Sequence, residues 1–489
     1  MTSKSTKRAL ITSALAILMC AAMLIGATFA WFTDTASTGV NKIVSGNLKV
    51  DIIGADSDSH IEKLNFTKAA TTDAEAGAEI LWEPGCRYLT EGFRIANKGN
   101  LALKWKAQVN TGTTAANEGN FDLLDVIDFY LVTKAADGTE TETALDEFTG
   151  NLKKTETSDV YYIKGVMQTT AGNDYQGLTL DGISITVVAT QDTVESDSFD
   201  NQYDKDAEYP ILVTTGDELQ AIVSNATAPV NIVLTNSITT NNFVIPADKD
   251  VTLDLNGRTV TNAGSHTILN KGHLTLTDSS ADKSGQIISL KGNTAALRNG
   301  DNAVCVVEGG TISRDGASGN TWHVVENFGK MTFNGGKVVL KNGNGFAITN
   351  GWNYFDPGAS TTHAVMEINA LELDTDSSGI KNCRYGDLTV NDVTVTSTGY
   401  WALSNDYLGT AVINGGTLTS NSFKAVSNGA AMTVNGGTFD GTQGFFVQSY
   451  ATSTVLNGGT FANMNVDALS SYVGTGHTAQ QSGTSVIIK

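Results

Sequence analysis

The six histidines stand at positions 60, 266, 273, 323, 363 and 477. None lies in a His-Glu-x-x-His arrangement, which would set two metal ligands on one helical face. The carboxylates that gather most closely with a basic residue are Asp374, Asp376 and Asp387, beside Arg384. Cleaving a sugar chain needs facing carboxylates or a calcium-binding cluster next to a base. Isolated Asp among Asn, Gly and Ser is also the ordinary composition of a turn, and paired-Asp and Gly-His-Gly motifs are absent. No catalytic residue, metal site or cofactor is therefore expected, with a polysaccharide lyase or hydrolase kept as the alternative. Aromatic residues make a stronger pattern. Trp352, Tyr385 and Tyr407 fall two or three residues after Asn350, Asn382 and Asn405, and Tyr450 follows Ser449. The insertion after Trp352 adds Tyr354 and Asp356. Rings displayed in line could stack on sugar faces while Asp356, Asp387 and Asp406 bond hydroxyls; the other reading is that the rings shield bends and pack on one another.

What would position these residues is a repeat. Asn-Gly-Gly-Thr or a variant begins at Glu308, Asn334, Asn414, Asn435 and Asn457, with degenerate copies at Asn369 and Asn391. Apolar residues hold fixed places around it: Val307, Phe333, Ile368, Val390, Ile413, Val434 and Leu456 before, and Ile312, Val338, Leu373, Val395, Leu418, Phe439 and Phe461 after. A period-2 inward pattern kept from copy to copy defines stacked coils of a right-handed parallel β-helix. A second column, Asn299, Asn327, Asn350, Asn382, Asn405 and Asn428, suits an amide ladder along the axis. About a dozen coils at roughly 4.8 Å give a rod on the order of 60 Å. A short helix over Gly216–Val223 and a strand at Val486–Ile488 are expected to cap its ends. Cys305 falls at an inward position as a buried thiol; with Cys86 and Cys383 it forms no CxxC pair.

The chain has 489 residues, 50 Gly and 5 Pro, and 51 acidic against 31 basic residues. Such acidity excludes nucleic acid as a partner. The first thirty residues hold Lys4, Lys7 and Arg8 and no acid, so their removal takes the net charge from −20 to −23. An apolar run from Ala9 to Phe29 and small residues before Trp31 read as a signal peptide cut between Ala30 and Trp31. The alternative is an uncleaved membrane anchor.

Residues 31–200 read as antiparallel strands: 41–54, Phe93–Ala96 after a Trp82-Glu83-Pro84-Gly85 turn, a hairpin at Asn97–Asn100, Leu101–Val109 returning, and Ile183–Ala189. Residues 201–210 read as a linker and 211–489 as the β-helix with its C-terminal cap. The fold class is all-β, a β-sandwich followed by the β-helix.

The junction Ala27–Asp34, the strand Gly46–Asp51, Trp82–Gly85 and the segment Tyr175–Gln191 together resemble the TasA/camelysin family of biofilm-matrix proteins, exported through a SipW-type signal peptidase. The resemblance covers about the first 210 residues. It implies a jelly-roll-like form of the N-terminal sandwich, secretion from a Gram-positive cell and assembly into fibres by donor-strand exchange. Trp31 to Val40 would be the donor, anchored by Trp31 and Phe32; the other reading is a flexible leader. The repeat resembles the pectate-lyase-like superfamily in architecture, which does not choose a function. The expectation is an extracellular structural or adhesive protein that associates with itself or other matrix subunits; the alternatives are a non-catalytic glycan-binding module, with extracellular glycans as partners, and the lyase or hydrolase above.

Overall fold

The computed structural model describes residues 48–61, 64–67, 82–110, 113–114, 121–145, 148–178, 180–181, 184–192, 208–315, 322–352 and 362–489. The signal segment, its cut at Ala30 and Trp31, the donor residues Trp31, Phe32 and Val40, and most of the linker lie outside them, as do Tyr354 and Asp356.

The protein is all-β. From Val50 to Gln191 the named strands are antiparallel. A seven-stranded sheet is ordered Val50–Gly54, Phe93–Asn97, Tyr161–Met167, Arg87–Thr90, Phe66–Thr67, with Ile127–Lys134 and Glu140–Ala144 branching from Tyr161–Met167. A three-stranded sheet runs Ser184–Gln191, Leu103–Asn110, Phe148–Leu152. Phe93, Ile95, Leu131 and Ile163 of the first sheet share one buried cluster with Leu103, Trp105, Ala107 and Leu152 of the second. Two sheets joined through one apolar interior make a sandwich.

The hairpin expected at Asn97–Asn100 does not form. Phe93–Asn97 pairs with Val50–Gly54, while Leu103–Asn110 pairs with Ser184–Gln191 and Phe148–Leu152. The turn carries the chain from one sheet to the other. Buried Asn97 holds it: its Nδ2 donates to Leu101 O (2.7 Å) and Lys153 O (3.1 Å), and its Oδ1 accepts from Gly99 N–H (2.9 Å). Alternation showed two strands but carried no mark of their partners. The strand Arg87–Thr90, pairing with Tyr161–Met167, was also not anticipated.

From Ile211 the chain winds into a right-handed parallel β-helix of about 10 turns, fewer than the dozen expected. Roughly 4.8 Å per coil makes the stack about 50 Å long. Three sheets line it, here called A, B and C, with 11, 12 and 9 strands. Nine successive coils contribute a strand in order to A, B and C. The predicted columns close the core: Val390, Ile413 and Val434 point inward from sheet A, and Val395, Leu418 and Phe439 from sheet B, all fully or almost fully buried. The Asn-Gly-Gly corner joins A to B. A Cβ on its first glycine would meet the preceding coil's carbonyl, 2.7 Å from Asn391 O at Gly415 and 2.7 Å from Asn414 O at Gly436. The second glycine takes positive φ, +96° at Gly416 and +109° at Gly437, where a side chain is strained.

Both ends are closed. The helix Gly216–Asn225 starts at Thr215, whose Oγ1 accepts from Glu218 N–H at 3.2 Å. It buries Leu219 and Val223 in the core. Gln220 completes the exposed edge of sheet C: its Nε2 donates to Val244 O (3.0 Å) and its Oε1 accepts from Val244 N–H (2.8 Å). At the far end Ser485–Ile488 pairs antiparallel with Gly459–Phe461 and buries Val486 and Ile488, as expected.

Candidate functional site

The strands of sheet C are short, mostly three to five residues, and most end on an asparagine. Seven of these, Asn270, Asn299, Asn327, Asn350, Asn382, Asn405 and Asn428, form the buried ladder, each Nδ2 donating to the next Oδ1 at 2.7–2.9 Å. Asn270 extends the predicted column by one coil. At the other end the register pairs Asn428 with Val447, not with Ser449. Valine offers no amide, so Asn428 donates instead to Thr454 Oγ1 and Ser453 O, both at 2.8 Å.

Alternation turns the residue before each ladder asparagine outward. Down the sheet these are Leu269, Arg298, Glu326, Thr349, Lys381, Ser404 and Ser427, then Phe446 before Val447. Four residues before the ladder asparagines 327, 350, 405 and 428 stand His323, Phe346, Trp401 and Lys424, which make one flank of the sheet. The corner after each asparagine makes the other.

The predicted aromatic column divides between two places. Trp352 packs on Phe328 with ring centroids 4.5 Å apart. Tyr385, at φ +59°, lies under the Arg384 guanidinium (4.7 Å) and 5.6 Å from the His363 ring, and His363 Nδ1 is 2.8 Å from Asp387. Tyr407 and Tyr450 remain 45% and 55% exposed. Asp406 and Tyr450 border a cleft of about 220 Å³ whose other lining residues, the ladder residue Asn405 apart, are not among those the sequence pattern singles out. Ser404, Asn405 and the almost fully buried Ser427 line it from the strands of two adjacent coils, Phe346 and Trp401 from the flank before the strands, Asp406, Gln448 and Tyr450 from the flank after them, and Lys381 from the coil before. For all of the lining residues not singled out, Gln448 excepted, a signal was available, one place or four places before a ladder asparagine.

The cleft is held from behind. Trp401 meets Phe423 edge-on at 4.6 Å and lies nearly parallel to Phe446 at 6.3 Å. Gln448 Nε2 donates to Ser427 Oγ at 3.0 Å. Lys381 Nζ is 3.1 Å from Asp406, so the two charges offset each other. Tyr450 lies against Gly429, where a Cβ would stand 2.7 Å from its Cε2. Only glycine lets the ring settle there.

The acid trio is not brought together. Asp374 is on sheet B, paired with Lys341 at 2.8 Å, and Asp376 accepts from Asn342 N–H at 2.6 Å. Asp387 is on sheet A. Among the described residues, no group of three or more His, Cys, Asp or Glu is placed to hold a metal ion. Burial pushes the Cys305 and Cys383 thiols up to about 12.

Burial also holds two histidines neutral, with His266 and His323 brought down to about 4. His266 Nδ1 accepts from Ala295 N–H at 2.9 Å, a bond that protonation at that nitrogen removes. Between pH 6.5 and about 4 the unfolded chain therefore takes up protons that the folded chain refuses, and stability falls as pH falls. The urea midpoint is expected to drop from pH 7 to pH 4.5, and less so in a His266→Gln, His323→Gln variant. An equal drop in both proteins would place the acid sensitivity elsewhere.

The fold and this cleft define an all-β protein with a capped parallel β-helix bearing an aromatic-walled depression on one sheet. Compared with protein families, curated proteins and solved structures, the chain finds no match in any of the three.

Proposed function

We propose that this is an exported structural and adhesive protein of the cell surface or biofilm matrix, with a non-catalytic role. The observation that carries the reading is the rod closed at both ends, by the helix Gly216–Asn225 and by the pair Ala479–Ser482 and Ser485–Ile488. A capped stack does not grow by coil-on-coil addition, which suits a spacer of fixed length. Assembly then falls to the sandwich, in which Phe148–Leu152 is an edge strand among the described residues. The signal-like N-terminus, the acidic composition and the TasA/camelysin-like motifs support secretion and donation of Trp31–Val40 to a neighbouring subunit. A SipW-type peptidase would release the mature chain, and its partners would be copies of itself or other matrix subunits. The division of Asp374, Asp376 and Asp387 between sheets favours this reading over a lyase or hydrolase.

Electron microscopy of the chain starting at Trp31, beside one starting at Asn41, tests the assembly. Fibres from the first and not the second are expected. Monomers from both would remove the matrix-building role.

A further inference from the structure

We propose that the cleft between Trp401 and Tyr450 receives one ring of an uncharged saccharide chain lying along the rod. This goes beyond the structural role and does not depend on fibre assembly.

Shape gives the first argument. Ser404 and Ser427, which line the cleft, are register neighbours on adjacent coils. Their separation of roughly 4.8 Å is close to the length of one pyranose residue in an extended glycan. A sugar chain running down the axis would therefore advance about one ring per coil. The cleft, at about 220 Å³, is smaller than the roughly 300–1,000 Å³ of pockets that enclose a whole small molecule. It fits one ring of a longer chain.

Chemistry gives the second. Trp401 and Tyr450 offer aromatic surface from opposite flanks, which suits the C–H faces of a pyranose. Between them stand a hydroxyl (Ser404), an amide (Gln448), a carboxylate (Asp406) and an amine (Lys381). Such a mixture of donors and acceptors matches vicinal hydroxyls, each of which donates and accepts. A peptide strand would want unpaired backbone, and the sheet C strands here already pair on both sides with the coils above and below.

Charge selects the class. Lys381 is offset by Asp406 at 3.1 Å. Lys424, on the flank of the same sheet, lies 3.3 Å from the centre of the Phe446 ring. A chain of net charge −20 repels polyanions at long range. Uronate polymers and phosphate-bearing chains are thus disfavoured against neutral glycans.

The test is calorimetric titration of the full chain with cellohexaose, chitohexaose, mannohexaose and galactohexaose, with hexagalacturonate as the charged comparison. At least one neutral hexamer should bind, and more tightly than hexagalacturonate. Ser404→Arg, which fills the cleft with a long side chain, and Tyr450→Ala should each weaken that binding about tenfold or more. Trp401→Phe, which keeps a ring on its flank, should stay within about threefold. Melting temperatures of the variants show that each is folded. Failure of all four neutral hexamers at about 10 mM, a preference for hexagalacturonate, or unchanged affinity in folded Ser404→Arg would each overturn the proposal. None of these results bears on whether fibres form, so the two readings fail separately.

Discussion

Asn382→Ala should unfold the middle of the rod far more readily than its small change in volume suggests. The Asn382 side chain is fully buried. Its Nδ2 donates to Asn405 Oδ1 (2.8 Å), Gly386 O (2.9 Å) and Thr410 O (3.0 Å), while its Oδ1 accepts from Asn350 Nδ2 at 2.9 Å. Alanine strands several of these groups away from water. At about 1–3 kcal/mol for each buried group left without a partner, the loss is on the order of 4 kcal/mol. A second ladder provides the control. Asn334, Asn369, Asn391, Asn414, Asn435 and Asn457 are linked at 2.7–3.0 Å on the solvent side of the A-to-B corner. Water can replace the partners that Asn391→Ala removes there, so its cost should stay near 1 kcal/mol or below. Urea midpoints and amide exchange in the neighbouring coils measure the contrast. Equal losses at the two positions would mean that burial does not set the worth of the amide ladder.

In the chain starting at Asn41, which lacks the donor segment, deleting Thr478–Lys489 should convert a monodisperse protein into one that self-associates with concentration. The deletion removes Val486 and Ile488 from the core, each worth about 1.5–3 kcal/mol when buried. It also bares the backbone of Gly459–Phe461, now paired with Ser485–Ile488. Phe461, stacked on Phe439 at 4.9 Å, would lose its cover. An unpaired strand above an apolar layer is a template for another chain. The native edge strand, Ala479–Ser482, avoids this with exposed Gln480, Gln481 and Ser482. Light scattering over a concentration series reads the result, with Gln480→Lys as a variant that should stay monomeric. A truncated chain of unchanged mass at high concentration would show that the cap is dispensable for solubility.

Both expectations rest on features that differ in how far they could be read beforehand. The inward columns and the buried ladder were legible because each coil restates the same instruction to its neighbours, and the two caps because the repeat stops there while an apolar pattern continues. The aromatic residues after the ladder asparagines were legible as a spacing, yet two of them pack at a corner with Phe328 and His363. The cleft draws on coils that carry Phe346, Lys381, Trp401, Ser427 and Tyr450, and no single coil bears its signature.

A repeated pattern determines the β-helix by itself, because a strand whose neighbour carries the same inward residues pairs in only one register. The sandwich had no such internal copy. There alternation identified strands and faces, while partners came from segments far apart in the chain, as when Phe93–Asn97 meets Val50–Gly54 and not Leu103–Asn110. Tertiary structure likewise ended the ladder at Asn428, opposite Val447, and set Tyr450 over Gly429 beside Trp401. The physical reason is common to these cases: local pattern specifies which side of a strand is buried, and only packing decides what covers it.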